Sequence, residues 1–538
     1  MKKILLLLWL FFFSCWLMFR TFSYDEHTFY IADHIVYDFA IHIPLIRSFS
    51  VGENFPPQYP LFPGEPIRYH FLFYFLVGML EKGGLPIDWA LNIPSALGLL
   101  ALTTVLYYLT KAIFQRRLVA ILTVIFLLFN GSLTFVKFFQ NQPLNLTKFT
   151  SFGPFDGEEI AAFWNLSTFT NQRHFAWGLT IGLLFLLTAL KLFNKPSAIK
   201  MRWAIIWGLI IGLLPFFHQS ILIILAMMMV IYFILYLPLR LFILTGGIIS
   251  SLLILPQVYF FSKSSGILID WYPGYLIHDS LTPWHFFTYW FKNLGLHLFL
   301  IPLGLYLAPK QLRKPLLLPI VLIFLIPNLL RFSPEVATNH KFFNFALILG
   351  SMFSAYTLVR LLDSAKKISA KLTRLAIRTT FMIILLFLTL SGVIDFFPTI
   401  NDDKHIFTDA PKNEVVEWFL TSTEPNAVIL NSSYVYHPAS LAGRRIFLGW
   451  PMFAWSLGLN VDQRFNEFKT IWETADISLL CNKLKENNIS YAMYEKSANM
   501  PEIHPKVDLF DKFFPLLYEN IISGIKIYDA KAGCIKND

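Results

Sequence analysis

Residues 1–19, MKKILLLLWLFFFSCWLMF, decide the class of protein to which this chain belongs. A secretory signal peptide has a shorter apolar core and ends at a cleavage site of the small-x-small type. This segment has a long apolar core and no such site, and Trp16 follows Cys15 where a lipoprotein signal needs a small residue. We therefore expect a helix that is retained and spans a membrane.

Further apolar runs follow this segment, and each is long enough to cross a hydrocarbon layer of about 30 Å as a helix. The composition agrees, because 56% of the residues are hydrophobic and only 14% are charged, against about a quarter charged in soluble domains. The sequence predicts about eleven spans, at residues 3–21, 87–110, 117–130, 175–193, 203–217, 219–237, 240–261, 286–308, 315–331, 342–361 and 377–396.

The charges between these spans predict the orientation of the chain. With the amino terminus inside the cell, 19 basic residues lie in six short stretches on the cytoplasmic side, together with Asp363 as the one clear acidic residue. Short basic connections face the cytoplasm. We therefore expect a protein of the cytoplasmic (inner) membrane with its carboxy-terminal part outside. Because the basic residues serve topology, the formal net charge of +10 does not indicate a nucleic-acid partner.

The last part of the chain, residues 397–538, has the composition of a soluble domain, with a net charge of −4. Helical patterns at 413–423 and 476–488 alternate with extended patterns at 427–433, 444–450 and 489–495, which predicts a small α/β domain. We expect two domains, a membrane domain of residues 1–396 and a soluble extracytoplasmic domain of residues 397–538.

The three cysteines give neither a disulfide framework nor a metal-binding spacing. Cys15 lies in the first apolar run. A single bridge between Cys481 and Cys534 can form if the tail lies outside the cytoplasm.

Ionisable residues near a membrane core mark functional sites, because their burial there is costly. The first outer loop, residues 22–86, is the richest: its stretch 37–70 is turn-rich and we expect it to be a soluble loop, with residues 71–80 as a short interfacial helix. Topology alone brings these residues and others to one face, namely Asp25, Glu26, Asp33, His34, Asp38, His42, Arg68, Tyr69 and His70 of the first loop, and Gln172, Arg173, His174, His218, Asn339, His340 and Lys341 elsewhere.

Such a set suits the transfer of a group from an anionic lipid carrier. An acidic residue of the first loop can act as general base for an acceptor hydroxyl. The cationic and imidazole groups can hold an anionic leaving group such as a lipid phosphate. The sequence has no glycine-rich loop for a soluble nucleotide.

The chain resembles the GT-C class of polytopic glycosyltransferases, and more closely the protein-mannosyltransferase-like bacterial members with a soluble carboxy-terminal domain. The resemblance lies in YDFAIHIPLIRSFSVGENFPPQYPLFPGEPIRYHFLFYFLVG (37–78), TNQRHFAWGL (170–179), GLLPFFHQS (212–220), NLGLHL (293–298), TNHKFFNF (338–345) and AGRRIFLGW (442–450). It implies a polyprenyl-phosphate-linked sugar donor, inversion at the anomeric carbon and a catalytic aspartate in the first outer loop. That role falls on Asp38, with Asp25 and Glu26 as the competing acidic pair.

The substrate-binding residues expected around that aspartate are His42, Arg68, Tyr69, His70, Gln172, Arg173, His174, His218, Asn339 and Lys341. The first loop lacks the paired DxD arrangement of metal-dependent members, so we assign no metal ligand and leave a divalent metal ion open. Each residue also has a structural alternative: Asp38 can cap a helix, Arg173 can reach the lipid headgroups, and the histidines can be packed.

Several functions share this pattern. The first hypothesis is an inverting hexosyl- or pentosyltransferase of the cell envelope, which uses a polyprenyl-phosphate sugar and an acceptor glycan, lipid or protein. A transporter or flippase is the alternative, although transporters carry polar residues at the midplane of the spans. A polymerase or ligase of surface glycans differs only in the acceptor, and a purely structural scaffold does not explain the acidic first loop.

Overall fold

The computed structural model describes residues 2–68, 70–141, 166–194, 201–262, 269–277, 280–497, 500 and 502–535. Its helices, in chain order, are α1 (Lys2–Thr21), α2 (Val36–Ser50), α3 (Leu72–Lys82), α4 (Ile87–Phe114), α5 (Arg117–Leu128), α6 (Thr134–Asn141), α7 (Ser167–Asn171), α8 (Phe175–Asn194), α9 (Met201–Gly212), α10 (Leu214–Phe217), α11 (Gln219–Leu235), α12 (Arg240–Ser262), α13 (Pro283–Leu294), α14 (His297–Leu307), α15 (Lys310–Leu325), α16 (His340–Lys366), α17 (Lys371–Phe387), α18 (Leu390–Ile394), α19 (Phe396–Asn401), α20 (Glu414–Ser422), α21 (Pro438–Leu441), α22 (Pro451–Ser456), α23 (Val461–Glu473), α24 (Ile477–Glu486), α25 (Val507–Phe513) and α26 (Ala530–Ile535). Its strands are β1 (Phe22–Asp25), β2 (Thr28–Ala32), β3 (Asp270–Trp271), β4 (Leu330–Arg331), β5 (Lys404–Thr408), β6 (Val428–Leu430), β7 (Arg445–Ile446), β8 (Ile489–Glu495), β9 (Leu516–Asn520) and β10 (Ile525–Asp529).

The apolar runs of the sequence form helices. Among the described residues, six helical segments are long and apolar enough to cross a membrane, and a pair bent by 49° makes a seventh if it is one span. Shorter apolar helices lie at Arg117–Leu128, Met201–Phe217, Gln219–Leu235 and His297–Leu307. The chain therefore has the helices of a multi-pass membrane protein, while the count of about eleven spans stays a prediction.

The chain divides into two compact units. The first, which we call the helical unit, consists of Met1–Thr21, Asn92–Gln257 and Leu268–Asp403. The second, the sheet unit, consists of Phe22–Leu91, Val258–Ile267 and Lys404–Asp538. The first outer loop therefore shares a compact unit with the tail, whereas the functional division into domains 1–396 and 397–538 stays a prediction.

Helix α16 is the centre of the helical unit, where it packs against α5, α14, α15 and α17. The close crossing with α14 depends on Gly304, because a Cβ there would fall 2.3 Å from the carbonyl oxygen of Phe353. The outer surface is also apolar: Leu241, Leu252 and Leu255 of α12 are all exposed. Such a surface suits lipid rather than water.

The sheet unit holds a three-stranded antiparallel sheet in the order β1-β2-β5. Its register pairs Phe22 with Ile31 and Thr28 with Thr408, so the start of the first loop is paired with the start of the tail. Helix α3 packs against α2, and Gly78 lets it approach, since a Cβ there would lie 2.8 Å from the Ile46 carbonyl oxygen.

The expectation of a turn-rich loop from residue 37 was wrong for its first part, because residues 36–50 form helix α2. The sequence hides this helix because most of its residues are buried, so apolar side chains occupy nearly every face and no amphipathic period remains. Pro44 in its middle adds a second misleading signal. Helix α3, Leu72–Lys82, covers nearly all of the helix expected at 71–80, and its place at the membrane interface stays a prediction.

The rest of the tail folds around a five-stranded sheet in the order β7-β6-β8-β10-β9. Strand β6 is parallel to β7 and β8, whereas β8, β10 and β9 are antiparallel. Helices α20 and α24 lie where the sequence predicts them, and the α/β character of the tail is confirmed. Cys481 and Cys534 form the disulfide that the sequence left open, with 5.4 Å between their Cα atoms.

Candidate active site

Asp38, the expected catalytic base, lies half-buried in the first turn of α2. The amino-terminal end of a helix stabilises a carboxylate through its exposed N–H groups. Tyr436 of the tail reaches the same turn, where its hydroxyl donates a hydrogen bond to the Val36 carbonyl oxygen. Burial, and then the charge of Asp38, raise the pKa of Tyr436, so this hydroxyl keeps its proton beside the carboxylate.

His42 follows Asp38 by one helical turn and is buried. Its ring stacks on Tyr74 of α3 at a centroid distance of 4.7 Å and lies 5.3 Å from the ring of Phe39. These contacts are with aromatic rings, so they also suit a packed structural residue. The expected substrate contact of His42 stays a prediction.

Arg47 anchors the other end of α2, in a role that we did not expect from the sequence. Its guanidinium donates to Asp409 at 2.7 Å and pairs with Glu81 of α3 at 3.0 Å, and all three side chains are nearly buried. Burial alone would lower the pKa of Arg47, but the carboxylates of Glu81 and Asp409 raise it. Tyr24 and Ser50 donate to the two carboxylates, at 3.0 and 2.6 Å. The cluster fixes α2 against α3 and the residue that follows β5.

Arg68 and His70 lie in the irregular segment before α3. The Arg68 guanidinium donates to the Gly458 carbonyl oxygen at 2.6 Å and lies 3.4 Å from Glu65. These contacts tie the segment to the tail, and the phosphate contact expected of Arg68 stays a prediction. His70 is buried. Tyr69, also expected to bind substrate, lies outside the described residues.

The competing acidic pair, Asp25 and Glu26, lies at the tip of the hairpin formed by β1 and β2. Both residues are exposed. Glu26 adopts a left-handed φ of 41° and pairs with Lys412 at 3.3 Å. The pair is therefore a solvated turn.

In the helical unit, Arg173 lies just before α8 and is buried. Its guanidinium donates to Thr21 Oγ1 at 2.9 Å, to Asn92 Oδ1 at 3.1 Å and to the Met18 carbonyl oxygen at 3.4 Å. These bonds join α1, α4 and the start of α8. The structural alternative, in which Arg173 reaches lipid headgroups, does not fit because its side chain is buried, and substrate binding by Arg173 stays a prediction.

His174 and His218 lie close together, with 5.2 Å between their ring centroids, and both are buried. Gly178, one turn into α8, makes room for them, since a Cβ there would fall 2.9 Å from the His218 ring. His218 has extended backbone at the point where α11 begins. The imidazole of His218 therefore lies at the break between the apolar helices α10 and α11.

His340 is a site residue that our set of substrate-binding residues omitted. Its Nδ1 lies 3.1 Å from the Asn344 amide nitrogen and its Nε2 lies 3.0 Å from the Gln172 amide. Both neighbouring atoms are amide nitrogens, and a neutral imidazole accepts at one ring nitrogen only, so one of the two amides donates to the ring. The spacing of four residues between His340 and Asn344 on one helix was a signal in the sequence.

Lys341, next along α16, is buried near its start. Asn339 is buried as well, and its amide donates to the carbonyl oxygens of Pro327 and Leu330 at 2.8 and 2.7 Å. The Asn339 amide therefore holds the backbone that leads into β4, and substrate binding by either residue stays a prediction. The helical unit thus buries His174, His218 and His340 together with the cations Arg173 and Lys341, and their role in a substrate site stays a prediction.

No protein-family model and no curated protein matches the sequence. The oligosaccharyltransferase AglB of Archaeoglobus fulgidus, solved with an inhibitory peptide and a dolichol-phosphate, superposes with a TM-score of 0.51 and 12% identity over 98% of this chain and 74% of that one.

Two further solved structures are similar at lower scores. The A. fulgidus oligosaccharyltransferase tethered to an acceptor peptide gives a TM-score of 0.48 with 13% identity, over 91% of this chain and 69% of that one. ArnT of Cupriavidus metallidurans, bound to undecaprenyl phosphate, gives 0.47 with 11% identity, over 99% of both chains. The likeness to AglB carries the conclusion: the chain has the fold of the GT-C membrane glycosyltransferases.

Proposed function

We propose that the chain is an inverting glycosyltransferase that moves a sugar from a polyprenyl-phosphate carrier to an acceptor outside the cytoplasmic membrane. The observation that carries the proposal is Asp38, a half-buried carboxylate at the start of a helix in a chain with this fold. A solved neighbour of that fold holds a dolichol-phosphate, and we extend a lipid phosphate of this kind to the donor of this chain.

In the proposed reaction Asp38 takes the proton of an acceptor hydroxyl. The acceptor oxygen then forms a bond to the anomeric carbon, and the bond from that carbon to the carrier oxygen breaks with its electron pair going to the phosphate. Attack from the face opposite the leaving group inverts the anomeric carbon. Arg173, Lys341 and the imidazoles of His174 and His218 are the candidates to bind the phosphate, because all four side chains are buried and such cations and donors pair with phosphate oxygens.

The test is sugar transfer by the purified full-length protein, with a panel of radiolabelled polyprenyl-phosphate hexoses and pentoses and a membrane lipid extract as acceptor. We expect a covalent product of inverted configuration, and a rate lowered by about 10²–10⁴-fold, the range for loss of a general base, in Asp38→Asn. Asp33→Asn is the matched control, because Asp33 is exposed and pairs with His405 at 2.6 Å. Uptake of a substrate into proteoliposomes without any covalent product would instead make the chain a transporter.

We also propose that the tail lies outside the cytoplasm. The Cys481–Cys534 disulfide supports this side, because disulfides persist in oxidising compartments. The test uses a Cys15→Ser background and a membrane-impermeant maleimide on intact cells. Ile522→Cys, at a fully exposed position of the tail, should react, and Lys367→Cys, in a basic connection of the helical unit, should react only after lysis. The opposite pattern would refute the orientation.

A further inference from the structure

A loop of the tail, residues 431–437, is held rigidly beside the strand end at 447–450. The Asn431 side chain accepts a hydrogen bond from Leu448 N at 3.1 Å and donates to the Leu448 carbonyl oxygen at 2.6 Å. The Asn431 carbonyl oxygen accepts from the Trp472 indole at 3.2 Å. Both segments are therefore fixed relative to each other.

The same loop is fixed to the first turn of α2. Tyr436 stacks on Phe407 at a centroid distance of 3.9 Å, and its hydroxyl bonds to Val36. Its φ of 50° is unfavourable for any residue with a Cβ, so the side chain and its contacts hold the backbone in this shape. The loop and Asp38 consequently keep a defined separation.

Three aromatic side chains line this region, two of them exposed and one, Tyr434, half-buried. Tyr37, the neighbour of Asp38 in sequence, is 65% exposed, and Trp450 is 38% exposed. Their ring centroids lie 6.4 Å apart at an angle of 49°, and Tyr434 lies 6.1 Å beyond Trp450, edge to face. We call these three rings the aromatic wall.

Two hydroxyl groups of the loop lack hydrogen-bond partners within the described part of the chain. They are Tyr434 Oη and Ser432 Oγ, and both atoms are buried. A buried hydroxyl without a partner destabilises the protein, so such a group is commonly satisfied by a ligand or by water. A ligand that covers the exposed rings and also satisfies these two hydroxyls must offer both apolar faces and hydrogen-bonding groups.

From this surface we infer that the aromatic wall, with the hydroxyls of Ser432 and Tyr434, is an acceptor subsite for a saccharide. A sugar ring has an apolar C–H face that stacks on an aromatic ring and hydroxyls that pair with polar groups around its edge. A lipid chain would leave the two hydroxyls unsatisfied. The inference rests on the proposed function, because it takes Asp38 as the base that the bound acceptor meets.

The test is equilibrium binding of the detergent-solubilised full-length protein to immobilised tetrasaccharides of hexose, pentose and N-acetylhexosamine units, with a panel of unglycosylated peptides alongside. We expect at least one tetrasaccharide to bind, and Trp450→Ala and Tyr37→Ala each to weaken that binding by about five- to tenfold, the scale of one aromatic stack. Trp450→Phe, which keeps a ring, should retain most of the affinity and shows that the site is folded.

Trp455→Ala is the matched control, since Trp455 is also exposed and lies about 140° further around the axis of α22 than Trp450. It should bind like the wild type. Binding of peptides alone, of no tetrasaccharide, or equal binding by Trp450→Ala would overturn the subsite. Tetrasaccharide binding without any sugar transfer would refute the proposed function and leave the subsite in place.

Discussion

Two acidic positions of the first loop competed for the role of general base, and their surroundings in the sheet unit are very different. Asp25 and Glu26 occupy an exposed hairpin tip, where Glu26 pairs with the half-exposed Lys412. Asp38 lies half-buried on a helix that is tied down at both ends, by Tyr436 and by Arg47. A general base must lie within hydrogen-bond reach of one proton, and a residue held by its neighbours meets that requirement better than one on a solvated turn.

The largest expected effect is the contrast between these positions in the sugar-transfer assay. We expect the double variant Asp25→Asn/Glu26→Gln to keep the wild-type rate within about threefold, while Asp38→Asn loses about 10²–10⁴-fold. Initial rates at saturating donor measure both. A reversed order would assign the base to the hairpin tip, and equal losses would show that neither position acts alone.

The anchors of the two positions should differ in strength as well. Arg47→Met leaves Glu81 and Asp409 buried without their cation, so we expect the free energy of unfolding of the sheet unit to fall by about 3–5 kcal/mol. Lys412→Met removes only an exposed pair and should change it by about 0–1 kcal/mol. Denaturant unfolding followed by tryptophan fluorescence gives both values. Similar losses in the two variants would show that the Arg47 cluster contributes no more than a surface pair.

The sequence predicts those features that depend on local composition. Apolar runs such as 219–237 became helices because their length and hydrophobicity are visible residue by residue, and the alternating patterns of the tail gave strands and helices in the right places. The anchors of α2 depend instead on contacts between distant positions: Arg47 meets Asp409 at a separation of 362 residues, and Tyr436 meets Val36 at 400. A single sequence carries no signal for such pairs.

The candidate site divides in the same way. His174 and His218 both lie at the ends of apolar helices, and topology predicts that such ends meet. Their proximity in the structure therefore follows from the sequence. The hydrogen-bond partners of Arg173 and Asn339 within the protein do not follow from topology, because a buried guanidinium or amide looks the same in sequence whether it bonds to backbone, to side chains or to substrate.

Acid should destabilise the loop beside α2 through His437, which is buried, whereas His27 at the hairpin tip is exposed. His437 is buried, and its Nδ1 accepts a hydrogen bond from Ala439 N at 3.2 Å. Burial lowers the pKa of His437 to about 3. Since the unfolded chain binds the proton more readily than the folded one, stability falls as the pH drops from about 6.5 towards 3, by up to about 1.4 kcal/mol per pH unit.

His437→Asn is the variant that isolates this effect, because asparagine can also accept from the Ala439 N–H but does not titrate. We expect the difference in unfolding free energy, wild type minus variant, to increase with pH between about 4 and 6.5. Unfolding curves at four or five pH values measure it. Parallel pH profiles for the two proteins would show that His437 is not protonated on unfolding.

The smallest expected effect concerns the hydroxyl that joins the tail to the first turn of α2. Tyr436→Phe removes only the bond to the Val36 carbonyl oxygen and keeps the stack on Phe407. A hydrogen bond of this kind contributes about 0.5–1.5 kcal/mol, so kcat for transfer should fall by about two- to tenfold while KM for the donor is unchanged. Tyr518→Phe, on strand β9, is the control. If Tyr436 acts by positioning Asp38, its loss should matter little once Asp38 is already asparagine. A full additional loss in the double variant would mean that the hydroxyl acts independently of the carboxylate.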